Sequence, residues 1–589
     1  MQQLMQRLAA RPAFPRARSK AGVEEPTKTA HNTRFLHLRQ GAVPGPQLRP
    51  AATATASFPH YQLNLLRTLS TVSAMTLLSR IAGLLRETLK ATVFGAGLQM
   101  DAFEAAFRLP NLLRRLFAEG AFSQAFVPIL AEYQRKRGAD ATRKLVGDVG
   151  TLLAVVLLVV SVAGSIAAPW LVYVLAGGFA KTPGKVELTA EMIRIVFPYI
   201  LFISLVSLAG GVLNVHRRFA IPAVTPVLLN LSIIASAIFL ARWFAEPIKA
   251  LAWGVAFGGV AQLALQIVPL MRIGMLPRPG FDWRDEGVRR VLVAMGPAVV
   301  GVSAAQVSAL LNTQLAALLG DGRISWITYA DRLMEFPSAL LGVALGTILL
   351  PSLAQHYSDD DHHEYSALLD WGLRLAFLLA LPATLSLGLL AIPLVSTLYH
   401  YGRFTINDVM QTRAALLGYS VGLPALILVK ILAPGFYARQ VMKTPVKIAF
   451  FTILVTQAMA ITFAWPLGLQ QAGLTLATSL GACCNAGLLL WFLRRKGYYR
   501  PQPGWPAFAA KVVVAVAALA ALLLWLSGTD ASWLHAGILS RVGRLALIIV
   551  AGALVYFGTL FALGFRLAHF SRREAPLPAA IPTEPDDGQ

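Results

Sequence analysis

What most constrains this chain is a succession of long apolar runs, joined by short polar connections, between about residue 63 and about residue 570. A helix needs about 20 apolar residues to cross the hydrocarbon core of a bilayer. Runs such as Leu152–Ala168 and Leu545–Leu563 carry no charge at all. Fourteen segments of this kind can be read, over 65–94, 101–131, 147–175, 190–213, 222–242, 249–271, 291–319, 324–354, 367–397, 410–432, 446–465, 471–493, 508–527 and 542–565. In lipid the backbone must satisfy its own N–H and C=O groups, so these are helices and not strands. The predicted fold class is an all-α polytopic membrane protein with about 14 transmembrane helices. Composition agrees: 56% of residues are hydrophobic and 14% charged, against about 45–50% and about 25% in soluble domains. A soluble enzyme, a disordered chain and a collagen are thereby excluded. The two cysteines, Cys483 and Cys484, are neighbours, so there is no disulfide framework.

The formal net charge of +23 would suggest nucleic acid in a soluble protein. In a membrane chain, Lys and Arg report first on topology and lipid head groups, so no nucleic-acid partner is expected. Connections after even-numbered segments are rich in basic residues, among them Arg135-Lys136-Arg137, Arg217-Arg218, Arg289-Arg290 and Arg494-Arg495-Lys496. The positive-inside rule places those loops and both termini in the cytoplasm. The acidic loop Asp359-Asp360-Asp361-His362-His363-Glu364 dissents, but acidic residues weigh little in that rule. Residues 1–62 are of another kind, with nine Lys or Arg against two Glu, several Pro and no apolar run. They read as a basic, disordered extension; a transit peptide shares this composition. A further expectation is that translation starts at Leu63, which N-terminal sequencing would test.

Charges within the apolar segments carry the functional argument, because an ionised side chain at mid-membrane costs about 2.5–3.5 kcal/mol on insertion scales. At about 100° per residue, Asp101, Glu104, Arg108, Arg115 and Glu119 of the second segment fall on one stripe, with Asn111 beside it. Ser73, Thr76, Arg80, Gly83 and Glu87 share a side of the first segment, with Arg86 further round. In the eighth, Ser325, Thr328, Arg332 and Glu335 share a face. Some of these charges compensate one another locally as i,i+4 pairs, and pairing between helices would explain one such pair. It does not explain an excess of arginine on several helices, which predicts a hydrated internal cavity. Arginine stays charged and offers a planar fork matched to phosphate oxygens, so the expected substrate is anionic and phosphate-bearing. The sequence holds no P-loop, HExxH, CxxC or GxSxG. The His-bearing acidic loop at 359–364 reads as a solvated loop rather than a metal site.

Two stretches echo each other. Ala106-Phe107-Arg108-Leu109 with Phe126-Val127-Pro128-Ile129-Leu130-Ala131-Glu132-Tyr133 matches Ala330-Asp331-Arg332-Leu333 with Leu350-Pro351-Ser352-Leu353-Ala354-Gln355-His356-Tyr357. Six spans separate the copies, an even number, so the repeat is parallel, about an axis along the membrane normal. It predicts a lobe of six helices over 63–286 and another over 287–500, related by a pseudo-twofold axis. Arg108 and Arg332 would then face each other across the cavity between the lobes. Two extra helices over 501–570 would cover a lateral groove for a lipid tail, and 571–589 would be a cytoplasmic tail.

The same residues carry a resemblance. Pro110-Asn111-Leu112-Leu113-Arg114-Arg115-Leu116-Phe117-Ala118-Glu119-Gly120-Ala121-Phe122-Ser123-Gln124-Ala125-Phe126-Val127-Pro128 resembles the signature of the MurJ (MviN) lipid II flippases. So do Tyr329-Ala330-Asp331-Arg332-Leu333-Met334-Glu335-Phe336-Pro337 and the stretch from Lys430 to Gln440 that leads into Lys443-Thr444-Pro445-Val446-Lys447. The likeness runs from about Asn64 to about Phe570 and places the chain in the superfamily of multidrug, oligosaccharidyl-lipid and polysaccharide exporters. It implies a flippase, not an enzyme, that moves undecaprenyl-pyrophosphate disaccharide-pentapeptide to the outer leaflet of a bacterial inner membrane by alternating access, for peptidoglycan synthesis. It further implies substrate contacts at Arg80, Arg86, Arg114 and Arg332, with Asp101, Glu119 and Glu335 at charged family positions. Position 87 is Glu where the family pattern suggests Asp. The helical wheel favours Arg115 where the resemblance favours Arg114. Expected partners are lipid II, membrane lipids and cell-wall elongation or division proteins. A monomer without cofactor is expected, with a coupling ion of unknown identity left open. The alternatives are an exporter of another polyprenyl-linked oligosaccharide, a drug–cation antiporter of the same superfamily, an enzyme acting on polyprenyl phosphate, and a non-transporting scaffold.

Overall fold

The computed structural model describes residues 59–114, 121–282 and 284–566, and the described residues from 61 onward form one compact unit. Every regular element among the described residues is helical. Ten helical stretches are long and apolar enough to cross a membrane. They are α4 (Gly138–Ile166), α6 with α7 (Lys185–Val196, Tyr199–Val215), α8 with the irregular turns after it (Ala220–Trp243), α9 (Lys249–Arg272), α12 (His362–Leu389), α14 (Ile406–Tyr437), α15 (Lys443–Ala464), α16 (Gln470–Arg495), α17 (Trp505–Ser527) and α19 (Ile538–Ala562). The polar-striped first, second and eighth segments form α1 (Pro59–Phe94), α2 (Leu98–Arg114) with α3 (Ala121–Lys136), and α11 (Arg323–Ser358), and the seventh segment forms α10 (Glu286–Leu318). At about 1.5 Å per residue, the 36 residues of α1 and of α11 exceed what a bilayer requires. Short helices α5 (Ala168–Ala176), α13 (Ala391–Tyr399) and α18 (Asp530–Leu534) turn the chain between long ones.

The surface is apolar where a soluble protein would be polar. Val155, Val156, Leu158, Val159 and Val162 of α4 lie exposed, as do Leu539, Leu547, Leu554 and Phe561 of α19. Exposed apolar bands of this size are stable only against lipid tails. The interior is where the polar groups sit. Proline breaks the helical ladder at Pro110, Pro128, Pro226, Pro269, Pro337, Pro351, Pro382, Pro424 and Pro434, and α8 runs into a π-helical turn over Ser236–Leu240.

Lipid offers no hydrophobic force between helices, so close packing needs small residues. Gly418 and Gly422 of α14 meet Thr475 and Ser479 of α16 so closely that an added Cβ at Gly422 would lie 2.5 Å from the Ser479 Cα. The Ser479 hydroxyl donates to the Gly418 carbonyl at 2.7 Å. A Gly422→Val chain should therefore lose stability, by at least the ~1–3 kcal/mol of an overpacked core; thermal unfolding in detergent reads this, and an unchanged midpoint would show the two helices are not held here.

One carboxylate holds the segment that leads into the last long helices. Asp370 of α12 accepts from the Tyr499 hydroxyl at 2.6 Å, the Trp505 indole at 2.7 Å and the Gln502 N–H at 3.1 Å. Its other oxygen pairs with Arg374 at 2.7 Å. This clamps the segment between α16 and α17 onto α12, and Val512, Leu519, Leu523, Leu545, Ile548 and Tyr556 complete a separate apolar core there.

Candidate functional site

A polar cavity of about 360 Å³ lies between α1, α2, α3, α7, α8, α9 and α11. Among the described residues its charged lining is Arg86, Arg114, Arg332 and Glu335, three cations to one anion. Asn111, Asn214, Asn230, Gln262 and Gln266 supply amides around them, and Phe107 and Tyr199 an aromatic wall.

These charges are held by a chain of ion pairs that joins α1 to α11. Glu87, buried at mid-helix, receives Arg86 beside it, Lys90 at 2.8 Å and Arg332 at 3.9 Å. Lys90 continues to Glu104 of α2, and sits 5.4 Å over the Phe103 ring. Arg332 pairs with Glu335 one turn on, at 2.6 Å. Asn230 of α8 orients Arg86: its oxygen accepts from Nη1 at 2.9 Å while its amide donates to the Ser79 carbonyl at 3.2 Å. Arg114 is steadied by Asn111 one turn earlier, at 3.0 Å. Guanidinium groups fixed this way keep N–H donors aimed into the cavity without the entropy of a free side chain.

The predicted residues thus separate by place. Arg86, Arg114, Arg332 and Glu335 come together around the cavity. Arg80, a turn and a half before Arg86 on α1, lies within electrostatic reach of Lys430 of α14, which also feels Glu335. Arg108 does not line this cavity with Arg332; its Nε donates to the Thr313 hydroxyl of α10 at 2.9 Å. Asp101 is fully buried at one end of the bundle, away from the arginines lining the cavity. Arg115 and Glu119 lie outside the described residues. Lys90, Lys185 and Asn230 escaped sequence reading. Lys90 follows Glu87 by one turn on the same stripe, a signal that was available; Lys185 reads as a loop charge, and nothing local marks it as a buried partner.

Asp101 ties the bundle together at the end formed by residues 94–101, 177–185, 319–325 and 400–405. One oxygen accepts the Ser325 N–H at 2.9 Å and its hydroxyl at 2.6 Å; the other accepts the Gly322 N–H at 2.6 Å and Lys185 Nζ at 3.1 Å. Asp101 therefore caps the N-terminus of α11 from another helix. Lys185 also pairs with Asp321 at 2.6 Å and stacks on the Phe179 ring at 3.9 Å. Nearby, the Tyr329 hydroxyl donates to the Gly95 carbonyl at 3.1 Å, and the Arg403 N–H to the Thr92 carbonyl at 2.9 Å.

At the opposite end, the tail of α3 beyond residue 131 meets the start of α10 through exposed pairs, Arg290–Glu132 and Arg137–Glu286, each at 2.7 Å. Hydrogen bonds from Arg290 and Lys136 hold the Glu132 carboxyl down at about 2, so it is ionised in the fold at any ordinary pH. A depressed carboxyl stabilises above its ordinary value of 4.5 and loses that contribution as pH falls toward 2. The spacing of these helix ends, read by spin labels at 136 and 284, should hold constant between about pH 5 and 8. It should loosen in strong salt, since exposed pairs are screened; a spacing that moves with pH within that window would refute the pairing.

A second, apolar cleft of about 690 Å³ lies between α12, α14 and α16 and the segment leading into α17. Leu373, Phe377, Val421, Pro424 and Leu428 line it, with Arg494 and Trp505 among the residues around it. Among the described residues no three His, Cys, Asp or Glu converge as metal ligands, and the loop at 359–364 assembles no such group.

The family model for the lipid II flippase MurJ matches residues 90–542. The chain belongs to the MurJ family. The Burkholderia cenocepacia lipid II flippase MurJ is 51% identical over 516 residues, 87% of this chain and 100% of that one. The probable lipid II flippase MurJ of Vibrio cholerae is 41% identical over 506 residues, 84% of this chain and 95% of that one. Among solved structures, a lipid II flippase MurJ in an inward closed conformation superposes with a TM-score of 0.69 at 22% identity, covering 83% of this chain and 97% of that one. An inward-facing MATE-family multidrug transporter of the MOP superfamily superposes at 0.60 with 14% identity, covering 72% and 97%. At those identities the structural likenesses speak for the fold. Membership of the MurJ family makes the chain a multi-pass membrane transporter, and its arginine-lined cavity is the feature to be explained by what such a transporter carries.

Proposed function

We propose that this chain flips lipid II, undecaprenyl-pyrophosphate-linked disaccharide-pentapeptide, from the cytoplasmic to the periplasmic leaflet of a bacterial inner membrane, supplying peptidoglycan synthesis. The observation that carries the reading is the cavity's charge, three arginines against one glutamate among the described residues, inside a membrane protein of the MurJ family. A drug–cation antiporter of the same superfamily would want the opposite sign. Arg86, Arg114 and Arg332 are the groups that would take the pyrophosphate, with Arg80, Arg108, Arg115, Asp101, Glu119 and Glu335 as the further candidates. The polar head stays among amides and water, because each unpaired polar group in hydrocarbon is costly. The polyprenyl tail remains outside, with the apolar cleft between α12, α14, α16 and the start of α17 as its track.

The finer architecture belongs to the same reading: fourteen spans, as a lobe over 63–286, a second over 287–500, two further helices over 501–570 and a tail over 571–589. The order of elements supports it. α4 is followed at once by the nine-residue α5, and α12 by the nine-residue α13. α2 begins at 98 and α11 at 323, near the 224-residue offset of the repeat. Asp101 bonds Ser325, its own counterpart at that offset, as residues beside a twofold axis do. Both termini would lie in the cytoplasm, so the Asp101 end is periplasmic and sealed, and the substrate enters from the other side. The lobes then rock about the site to open outward. A coupling ion, if the cycle uses one, has no assigned site, and lipid II is the partner the reading requires, of a monomer.

The test is lipid II exposure. A Gram-negative host is depleted of its own flippase and supplied with this chain, and an enzyme that cleaves lipid II only from the periplasmic side reads the outer pool. Cleavage should return. A well-inserted chain that leaves the pool inaccessible would move the assignment to another polyprenyl-linked substrate.

A further inference from the structure

The cavity carries a second recognition element besides its arginines. Thr225 of α8 and Gln262 and Gln266 of α9 are nearly inaccessible and line it together. Their hydrogen bonds fix which way each amide points. The Thr225 hydroxyl donates to the Ile221 carbonyl at 2.8 Å, so its oxygen can only accept from a side chain. The group that faces it, at 3.1 Å, must be the Gln266 amide nitrogen. Gln262 Nε2 donates to the Thr225 carbonyl at 3.1 Å, and Gln262 Oε1 accepts from the Tyr199 hydroxyl at 3.4 Å, so that side chain is satisfied at both ends. Gln266 is not: its Oε1 is buried, and no described protein group donates to it. Packing between helices accounts for the nitrogen and leaves the oxygen as an acceptor held in place at the cavity wall, where a buried amide oxygen is costly to leave unpaired.

We propose that Gln266 Oε1 is a head-group reader: it accepts a hydrogen bond from an N–H or hydroxyl of the saccharide–peptide head while the arginines hold the phosphates. The inference rests on the flippase reading and deepens it. The arginines treat every polyprenyl pyrophosphate alike, because they meet only the shared anion. A neutral acceptor fixed by Thr225 distinguishes a pyrophosphate that carries an N-acetylated sugar from one that carries none. A site built to bond one donor rejects ligands that lack it, since its own polar group is then left unpaired.

The experiment compares two ligands on the full-length purified chain, lipid II and bare undecaprenyl pyrophosphate, by native mass spectrometry or fluorescence titration. Wild type should prefer lipid II. Gln266→Met, which keeps length and removes the acceptor, should weaken lipid II binding about tenfold and leave undecaprenyl pyrophosphate unchanged. Equal loss of both ligands in Gln266→Met, or no loss of either, overturns the proposal. If that variant fails to accumulate, wild type alone decides: no preference for lipid II over the bare pyrophosphate overturns it too. A wild-type chain that binds neither ligand removes the flippase reading itself, a result distinct from loss of preference.

Discussion

Arg332→Ala should abolish restoration of the periplasm-accessible lipid II pool, at equal membrane levels of wild-type and variant chain. Arg332 is the one cavity cation contributed by α11, and it faces α1 through Glu87 and its own helix through Glu335. Removing it should not unfold the centre, because Glu87 keeps Arg86 and Lys90 as partners. The loss therefore falls on substrate. A hydrogen bond to a charged group contributes about 1.5–3 kcal/mol, so binding should weaken by at least about tenfold. The change also takes one positive charge from beside Glu335, which turns local charge against an anion. Arg332→Lys separates charge from geometry: it keeps the cation and loses the planar fork, and partial activity is expected. Full growth with Arg332→Ala would leave the family assignment standing and remove this account of the site.

How much of this could be read from residues alone depends on the kind of signal. Long apolar runs and their loop charges need no tertiary information, so α4, α9, α12, α14 to α17 and α19 are visible in the chain. The polar stripes pointed to an internal cavity, and Arg86, Arg332 and Glu335 line a polar one. The wheel could not tell a cavity from a joint. Asp101 and Arg108 sit on the same stripe of α2, yet Asp101 is spent capping α11 and Arg108 on Thr313. Those partners are more than 200 residues away in sequence, and no local period encodes them. Gln262 and Gln266 look like ordinary polar breaks in an apolar helix until Thr225 appears opposite. Arg114 was reached by resemblance and not by periodicity, because a regular wheel does not survive Pro110.

Asp101→Ala should give the largest loss of stability among single changes in this chain. The carboxylate is fully buried and serves three helices at once: it belongs to α2, caps α11 through Gly322 and Ser325, and neutralises Lys185 at the start of α6. Breaking a buried pair by removing one partner costs about 3–5 kcal/mol, since the other charge is left in low dielectric. Lys185 retains Asp321, which is partly exposed, so the lower part of that range applies to the ion pair, with the lost cap adding about 1 kcal/mol. Lys185→Met should cost less, because Asp101 still accepts three hydrogen bonds from Gly322 and Ser325. The double variant decides between a latch and two unrelated contacts. With neither charge present, no unpaired ion is buried, and the combined loss should be smaller than the sum of the single losses. Thermal unfolding of all four chains in one detergent gives that coupling. Spin labels on either side of that end should also report wider separations in Asp101→Ala, since among the described residues no other buried charge there bridges α2, α6 and α11. Additive losses, with separations unchanged, would mean that the end is closed by its apolar contacts and that the carboxylate only terminates a helix.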